Sequence, residues 1–148
     1  MRDIAFKIEE TITLYASAML KLSDQEFSAK KIPDQWSKKE ILGHLVDSAQ
    51  NNIQRFVRGQ YEDAPKIVYD QDEWVRLEDY QAYVKEDLVQ LWVTVNKHLC
   101  RILICMDPSS FERKCDTGKG AVELHTLSFL AEDYLSHMHH HLNQIEKD

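Results

Sequence analysis

The sequence predicts an all-α protein, a four-helix bundle with a long crossover between its second and third helices. Glycine and proline are scarce, at 4 and 3 of 148 residues, whereas an all-β fold of this length needs many turn residues. Four long segments repeat their apolar residues every three or four positions, which is the period of a helix with one buried face. The length fits a single domain over residues 1–148.

The first two helices follow from this apolar period and from one start signal. The first helix is expected from about Ile4 to Leu22. The second begins after Ser37, because SKKE places a glutamate three residues beyond the serine, which is a capping box. It ends near Gly59, since glycine is a common residue at the end of a helix.

The rest of the chain alternates loops and helices. Residues 60–80 are too long and too polar for a tight turn, so they form the predicted crossover, with a short helical turn at Gln71–Val75. The third helix is expected over about Val84–Met106. A loop with two glycines follows and is expected to form a small hairpin. The fourth helix spans about Thr126–Glu146, with the threonine as its N-cap.

Charge and segment length argue against two classes of partner. The net charge is −7 and the basic residues are scattered without a stripe, so a nucleic-acid partner is not expected. No apolar run approaches the length of a membrane span, and Glu9 and Glu10 stand where a signal peptide needs its apolar stretch. We therefore expect a cytoplasmic protein with no membrane partner.

The three cysteines form no CxxC pair, which favours reduced thiols over a disulfide frame. Cys100 and Cys105 fall on a predicted helix and are interpreted as small buried hydrophobic residues. Cys115 falls in a polar loop, so it is the candidate for a reactive thiol.

The stretch YLSHMHHHLNQIEKD holds four histidines within five positions. Because Met138 interrupts the run and the apolar period continues beyond it, the cluster is not an expression tag. At about 100° per residue, His137 and His141 are neighbours on the flank of the apolar stripe. That spacing can bring two imidazoles onto one divalent cation. His139 falls on the far side of the helix, and His140 lies further out on the same flank.

A third histidine, His44, falls on the flank of the second helix's apolar stripe. A lone histidine there is more often a half-buried polar residue than a ligand. Three histidines at the margins of two helices favour a metal site, because bundles build such sites from inward-facing side chains on adjacent helices. A solvated polar face is the alternative.

The segments WSKKEILGHLVDSAQNNIQRFVRGQ and FLAEDYLSHMHHHLNQI resemble the two helix signatures of the DinB/YfiT-like superfamily. The resemblance covers nearly the whole chain, including YDQDEW in the crossover. It implies a bundle of up-down-down-up topology. It also implies a metal triad of one histidine from the second helix and a His-x3-His pair from the last, here His44, His137 and His141.

Three imidazole ligands leave a divalent ion with open positions, which is the catalytic pattern. Histidine suits Zn²⁺, Ni²⁺ and Fe²⁺, so the sequence does not choose the metal. Some members of the superfamily are S-transferases. We therefore expect a transferase that activates a small thiol of the bacillithiol, mycothiol or glutathione type on the metal for attack on an electrophile. The alternatives are a metal-dependent hydrolase and a non-catalytic, stress-related metal-binding protein.

Three further polar residues project from the second helix on the His44 side. Asn51 and Arg55 are predicted to contact the thiol or to orient a ligand imidazole. Asp47 is interpreted as a solvated acid. Apolar strips on the first and third helices, if uncovered, would pair two copies of the chain, so a homodimer is expected.

Overall fold

A computed structural model describes residues 1–147, so Asp148, the last residue of the predicted domain, lies outside the described residues. Two short strands, β1 (Lys114–Asp116) and β2 (Leu124–Thr126), pair antiparallel. The described residues contain six α-helices: α1 (Arg2–Lys21), α2 (Asp24–Ser28), α3 (Lys38–Arg58), α4 (Gln71–Glu78), α5 (Lys85–Cys105) and α6 (Leu127–Lys147).

The four long helices α1, α3, α5 and α6 form a bundle with up-down-down-up topology, which confirms the predicted fold class. Each packs against two others, in the ring order α1, α5, α3, α6. Trp92 and Tyr134 are among the largest buried side chains of the core. Among the four long helices, α5 follows α3 in the chain, and the two run side by side in the same direction. The segment between them must therefore cross the length of the bundle.

The helix boundaries lie close to the predicted ones because the capping signals are local. Ser37 Oγ accepts a hydrogen bond from the Glu40 backbone N–H at 3.1 Å, and Glu40 Oε2 accepts one from the Ser37 N–H at 2.8 Å. This is the capping box that the sequence predicted for α3. A second capping box, between Ser23 and Glu26, begins α2.

The crossover contains a longer helix than the single turn predicted at Gln71–Val75. The helix α4 extends to Glu78, and Asp70 stabilises its start by accepting hydrogen bonds from the backbone N–H groups of Asp72 and Glu73, both at 3.1 Å. An aspartate in this position satisfies donors that have no partner within the helix.

Tyr80, just after α4, anchors the crossover in the bundle. Its ring lies against the backbone of Gly43, where any Cβ would overlap it. Its hydroxyl donates a hydrogen bond to Asp47 Oδ1 at 2.5 Å. Asp47 is fully buried, so its interpretation as a solvated acid was wrong. Burial, opposed by this hydrogen bond, raises the pKa of Asp47 to about 6.

The small hairpin joins the crossover to α3. The Ile67 backbone N–H donates to the Asp116 carbonyl at 2.9 Å, which attaches the crossover to β1. Cys115 is buried, and its Sγ lies 3.5 Å from the Arg55 carbonyl, to which it donates. Burial raises the pKa of this thiol, which does not favour the reactive role that its polar sequence context allowed. Cys105, in contrast, is exposed rather than buried.

By length and composition, α5 could cross a membrane, which contradicts the expectation that no segment has that length. Its apolar residues include Trp92, Leu99 and Leu103, which are fully buried where α5 packs against α1 and α3. The core helix of a soluble bundle meets the same criterion.

Candidate metal centre

His44 on α3 and His137 and His141 on α6 converge on a common point. The Nε2 atom of His137 lies 3.2 Å from Nε2 of His44 and 3.1 Å from Nε2 of His141. One ring nitrogen from each histidine lies within 4.8 Å of the other two. The two helix flanks identified in the sequence therefore face each other across the contact between α3 and α6.

The surroundings of the three rings differ in their access to water. His44 is fully buried near the middle of α3, and the indole of Trp36 lies against it with ring centroids 5.0 Å apart. His137 and His141 are half-buried, one turn apart on α6. A cleft of about 430 Å³ opens on the outer side of His141. Of the three imidazoles, His141 is the one that lines this open cleft.

Gln144 fixes the proton on His141. The Gln144 amide oxygen lies 2.8 Å from Nδ1 of His141, while its amide nitrogen lies 3.4 Å from Nε2 of His140. Because an amide oxygen only accepts, Nδ1 of His141 must donate. Its Nε2 then carries a lone pair, which faces the other two histidines. Among residues 1–147, Nδ1 of His44 has no hydrogen-bond partner.

The environment keeps these histidines neutral. Burial is the main cause that lowers the pKa of His44 to about 3, with smaller effects from His137, His141 and Lys119. Burial likewise lowers the pKa of His137 to about 4, assisted by the neighbouring histidines and by Arg55. The neutral form is the one that binds metal ions. The three side chains are therefore in the ligand form at neutral pH.

The spacing of the three nitrogens fits a divalent cation. With metal–nitrogen bonds of about 2.0–2.1 Å and tetrahedral angles, two imidazole nitrogens on one Zn²⁺ lie roughly 3.3–3.4 Å apart. The separations from His137, 3.1 and 3.2 Å, are close to this value. The ligand nitrogens of His44 and His141 lie no more than 4.8 Å apart. His44, His137 and His141 could therefore hold such an ion with a modest rearrangement of their rings.

The other two predicted site residues differ in their relation to this centre. The Asn51 side chain is buried and donates to the Asp47 carbonyl of its own helix at 2.9 Å. It lines none of the clefts beside the histidines among the described residues, and its contact role stays a prediction. Arg55 lines a small recess together with His137, so the structure brings it beside the triad.

Of the remaining histidines, His140 lies beside the centre, with its ring centroid 5.0 Å from that of His141, whereas His139 and His98 lie apart from it. His139 contacts the Thr11 hydroxyl at 3.1 Å on the opposite side of α6, and His98 is exposed on α5. Sequence reasoning missed Gln144, although its position three residues after His141 is a usable signal, since such residues are neighbours on a helix. It also missed Lys119, whose place beside the site depends on the fold of the hairpin.

The lowered pKa values predict that the buried histidines destabilise the metal-free protein as the pH falls from about 6.5 to about 4. The raised pKa of Asp47 acts in the opposite direction below about 6. The unfolded chain takes up protons near the ordinary histidine pKa of 6.5, whereas folded His44 does so only near 3. Between these two values the unfolded state binds more protons at His44 than the folded state does. This contribution to the free energy of unfolding therefore decreases as the pH decreases. Each such histidine adds a slope of up to about 1.4 kcal/mol per pH unit.

Urea denaturation of metal-free protein at several pH values measures this slope. The variant His44→Gln removes one titrating group and should give a shallower dependence, whereas His98→Gln, which changes an exposed histidine, should keep the wild-type slope. Identical slopes for wild type and His44→Gln would contradict the prediction.

A family model described as the DinB superfamily matches residues 7–145. The chain belongs to the DinB superfamily. Its likeness to a solved structure, YfiT from Bacillus subtilis, has a TM-score of 0.88 at 23% identity and covers 98% of this chain and 83% of that one. YfiT is described as a probable metal-dependent hydrolase with an unusual four-helix bundle topology. This likeness confirms the fold.

Curated relatives within the DinB superfamily carry similar names. A protein of Halalkalibacterium halodurans is 24% identical over 99% of this chain and 86% of its own length. One of Oceanobacillus iheyensis is 27% identical over 72% of this chain. Both are named putative metal-dependent hydrolases. The match spans 62% of the Oceanobacillus protein, less than two thirds of its length.

Proposed function

We propose that the protein is a metal-dependent hydrolase in which His44, His137 and His141 hold one divalent ion. The observation that carries the proposal is the convergence of three neutral imidazole nitrogens, from two helices, beside an open cleft. The names of the protein's relatives, putative metal-dependent hydrolases, support hydrolysis as the reaction. Zn²⁺, Ni²⁺ and Fe²⁺ all suit three imidazoles.

The residues around the triad have separate tasks in this proposal. When bound, the ion would supply Lewis acidity and lower the pKa of water. Gln144 holds the proton on Nδ1 of His141 and so keeps its Nε2 available. Trp36 excludes water from the side of His44. Asp34 and Asp72 line the cleft next to His141 and are the carboxylates that could take up a proton during hydrolysis.

Transfer of a small thiol is the second candidate. The same three neutral ligands would stabilise a thiolate. The protein's own thiols do not serve, because Cys100 and Cys115 are buried and bonded to backbone carbonyls, and none of the three cysteines lines the cleft. The thiol would therefore have to be a separate small molecule, which would attack an electrophile bound in the cleft.

Turnover with and without thiol separates the two reactions. Untagged protein is loaded in turn with Zn²⁺, Ni²⁺ or Fe²⁺ and incubated with a panel of esters and amides. We expect chelator-sensitive hydrolysis in the absence of any thiol. Turnover of an electrophile panel only when bacillithiol or glutathione is added would instead favour transfer. A protein that binds none of the three metals would contradict both.

The homodimer and the cytoplasmic location stay predictions. Phe6 and Leu14 on α1 are exposed apolar side chains of the kind that a second copy could cover. Sedimentation of the purified chain would measure its assembly directly.

A further inference from the structure

Two cationic side chains stand beside the three histidines without an acidic partner. They are Arg55 on α3 and Lys119 in the loop between β1 and β2. Among residues 1–147, neither forms an ion pair with a carboxylate. Arg58, one turn beyond Arg55, is different, because its guanidinium binds both oxygens of Glu62 at 2.7 and 2.8 Å.

The guanidinium of Arg55 is held in place and keeps free donors. Its Nε and Nη2 donate to the Ile67 carbonyl at 3.4 and 3.1 Å, and its Nη1 donates to Asn52 Oδ1 at 3.4 Å. An arginine has five N–H donors, so one remains on each terminal nitrogen. These hydrogen-bond partners are neutral. Asp133 lines the recess that Arg55 shares with His137 and interacts with Arg55 electrostatically, but it is exposed and forms no ion pair with the guanidinium. The charge of this partly buried cation is therefore only partly compensated, which is costly.

The space next to the two cations is a small polar recess that none of the three histidines lines. Two of its lining residues, Arg55 and Tyr69, also line a second recess of about 90 Å³, which His137 and Asp133 line as well. The first recess has a volume of about 70 Å³ and is lined by Arg55, Val68, Tyr69, Gln71, Thr117 and Lys119.

We propose that Arg55 and Lys119 bind an oxyanion, a carboxylate or a phosphate group, of a small-molecule substrate whose reacting end lies at the three histidines. This inference depends on the proposed function in one respect only, namely that the reaction takes place at the three histidines. The two free N–H groups of a guanidinium match two oxygens of such a group, and the lysine adds a second charge. A volume of about 70 Å³ holds several water molecules, or one small oxyanion in their place.

The recess can be tested without metal. Metal-free protein is titrated with inorganic phosphate and with acetate, and binding is followed by isothermal calorimetry or by NMR shifts. We expect the affinity for the anions to fall roughly three- to five-fold in Lys119→Met, as for loss of one exposed charge. In Arg55→Lys it should fall about ten-fold, because lysine keeps the charge but cannot form two parallel hydrogen bonds to the anion. Lys97→Met removes an exposed charge of α5 and should leave both affinities unchanged.

Lys119 is exposed, so its substitution leaves the fold intact even if Arg55→Lys is destabilised. If Lys119→Met binds phosphate and acetate with the same affinities as the wild type, the oxyanion site is overturned. This outcome does not depend on metal binding. The anion bound more tightly identifies which of the two groups the substrate carries.

A second measurement on Zn²⁺-loaded protein connects the recess to the triad. Succinic monohydroxamate and butanoic hydroxamate share a metal-binding group, but only the first has a carboxylate at its other end. We expect the carboxylate compound to bind about ten-fold more tightly, and Lys119→Met to reduce this preference. Equal affinities in wild type would overturn the shared placement of anion and reacting end. Failure of both compounds to bind, with phosphate binding intact, would count against the metal site alone.

Discussion

Replacing His137 with alanine is expected to lower metal affinity at least a hundred-fold and to abolish metal-dependent turnover. Its Nε2 lies between those of His44 and His141, at 3.2 and 3.1 Å, so it is the shared neighbour in the triad. Loss of a residue that only orients a ligand typically costs about 10–100-fold in affinity, and loss of a ligand should exceed that range. Equilibrium titration with Zn²⁺ against a chelator of known affinity measures the change.

The matched control for this substitution is His98→Ala, which removes an exposed imidazole from α5. It should bind metal as the wild type does. The fold of metal-free His137→Ala should persist, because the substitution removes a desolvated polar ring rather than a core side chain, and circular dichroism would establish this. Wild-type metal affinity in a folded His137→Ala protein would exclude the triad as the binding site.

Gly43→Ala is expected to lower the free energy of unfolding by about 2 kcal/mol, the upper end of the overpacking cost less the gain in helix propensity. A Cβ at this position would overlap the ring of Tyr80, which is itself buried in the core. Overpacking of this kind costs roughly 1–3 kcal/mol and occasionally more. Alanine would recover only about 1 kcal/mol through its higher helix propensity. Urea denaturation measures the loss.

Two further variants test the cause of this loss. At Gly120 an added Cβ meets nothing within 4 Å, so Gly120→Ala should change stability by less than about 0.5 kcal/mol. Combining Gly43→Ala with Tyr80→Ala removes the ring that the new methyl group meets. The double variant should therefore lose less stability than the sum of the two single losses. Strict additivity would show that the ring is not the obstacle.

The parts of the fold and site that the sequence predicted are those set by short-range signals. The capping box at Ser37 and Glu40 depends on residues three apart, and the His137–His141 pair on residues four apart. His44 could be predicted as a site residue because it lies on the flank of the apolar stripe of its helix, where a side chain can face an adjacent helix. That the three Nε2 atoms meet follows from the packing of α3 on α6, a common outcome in bundles.

The features that sequence reasoning missed depend on contacts between distant segments. Asp47 lies on the helix face that carries His44, yet Tyr80, 33 residues later, covers it and takes up one oxygen. Cys115 lies in a polar stretch of sequence, but the hairpin places its thiol against the Arg55 carbonyl. Local composition predicts neither contact, because each requires the crossover to be placed first.

The separation of the ligands along the chain has a consequence for metal exchange. His44 and His137 are 93 residues apart, and the second belongs to a helix that also carries His141. A cation shared by these helices would fasten α6 to α3, so that local opening of α6 would dismantle the coordination sphere. Release of the ion would then be gated by the undocking of a helix. Occupancy would in turn suppress that opening through mass action, as any ligand of the native state does.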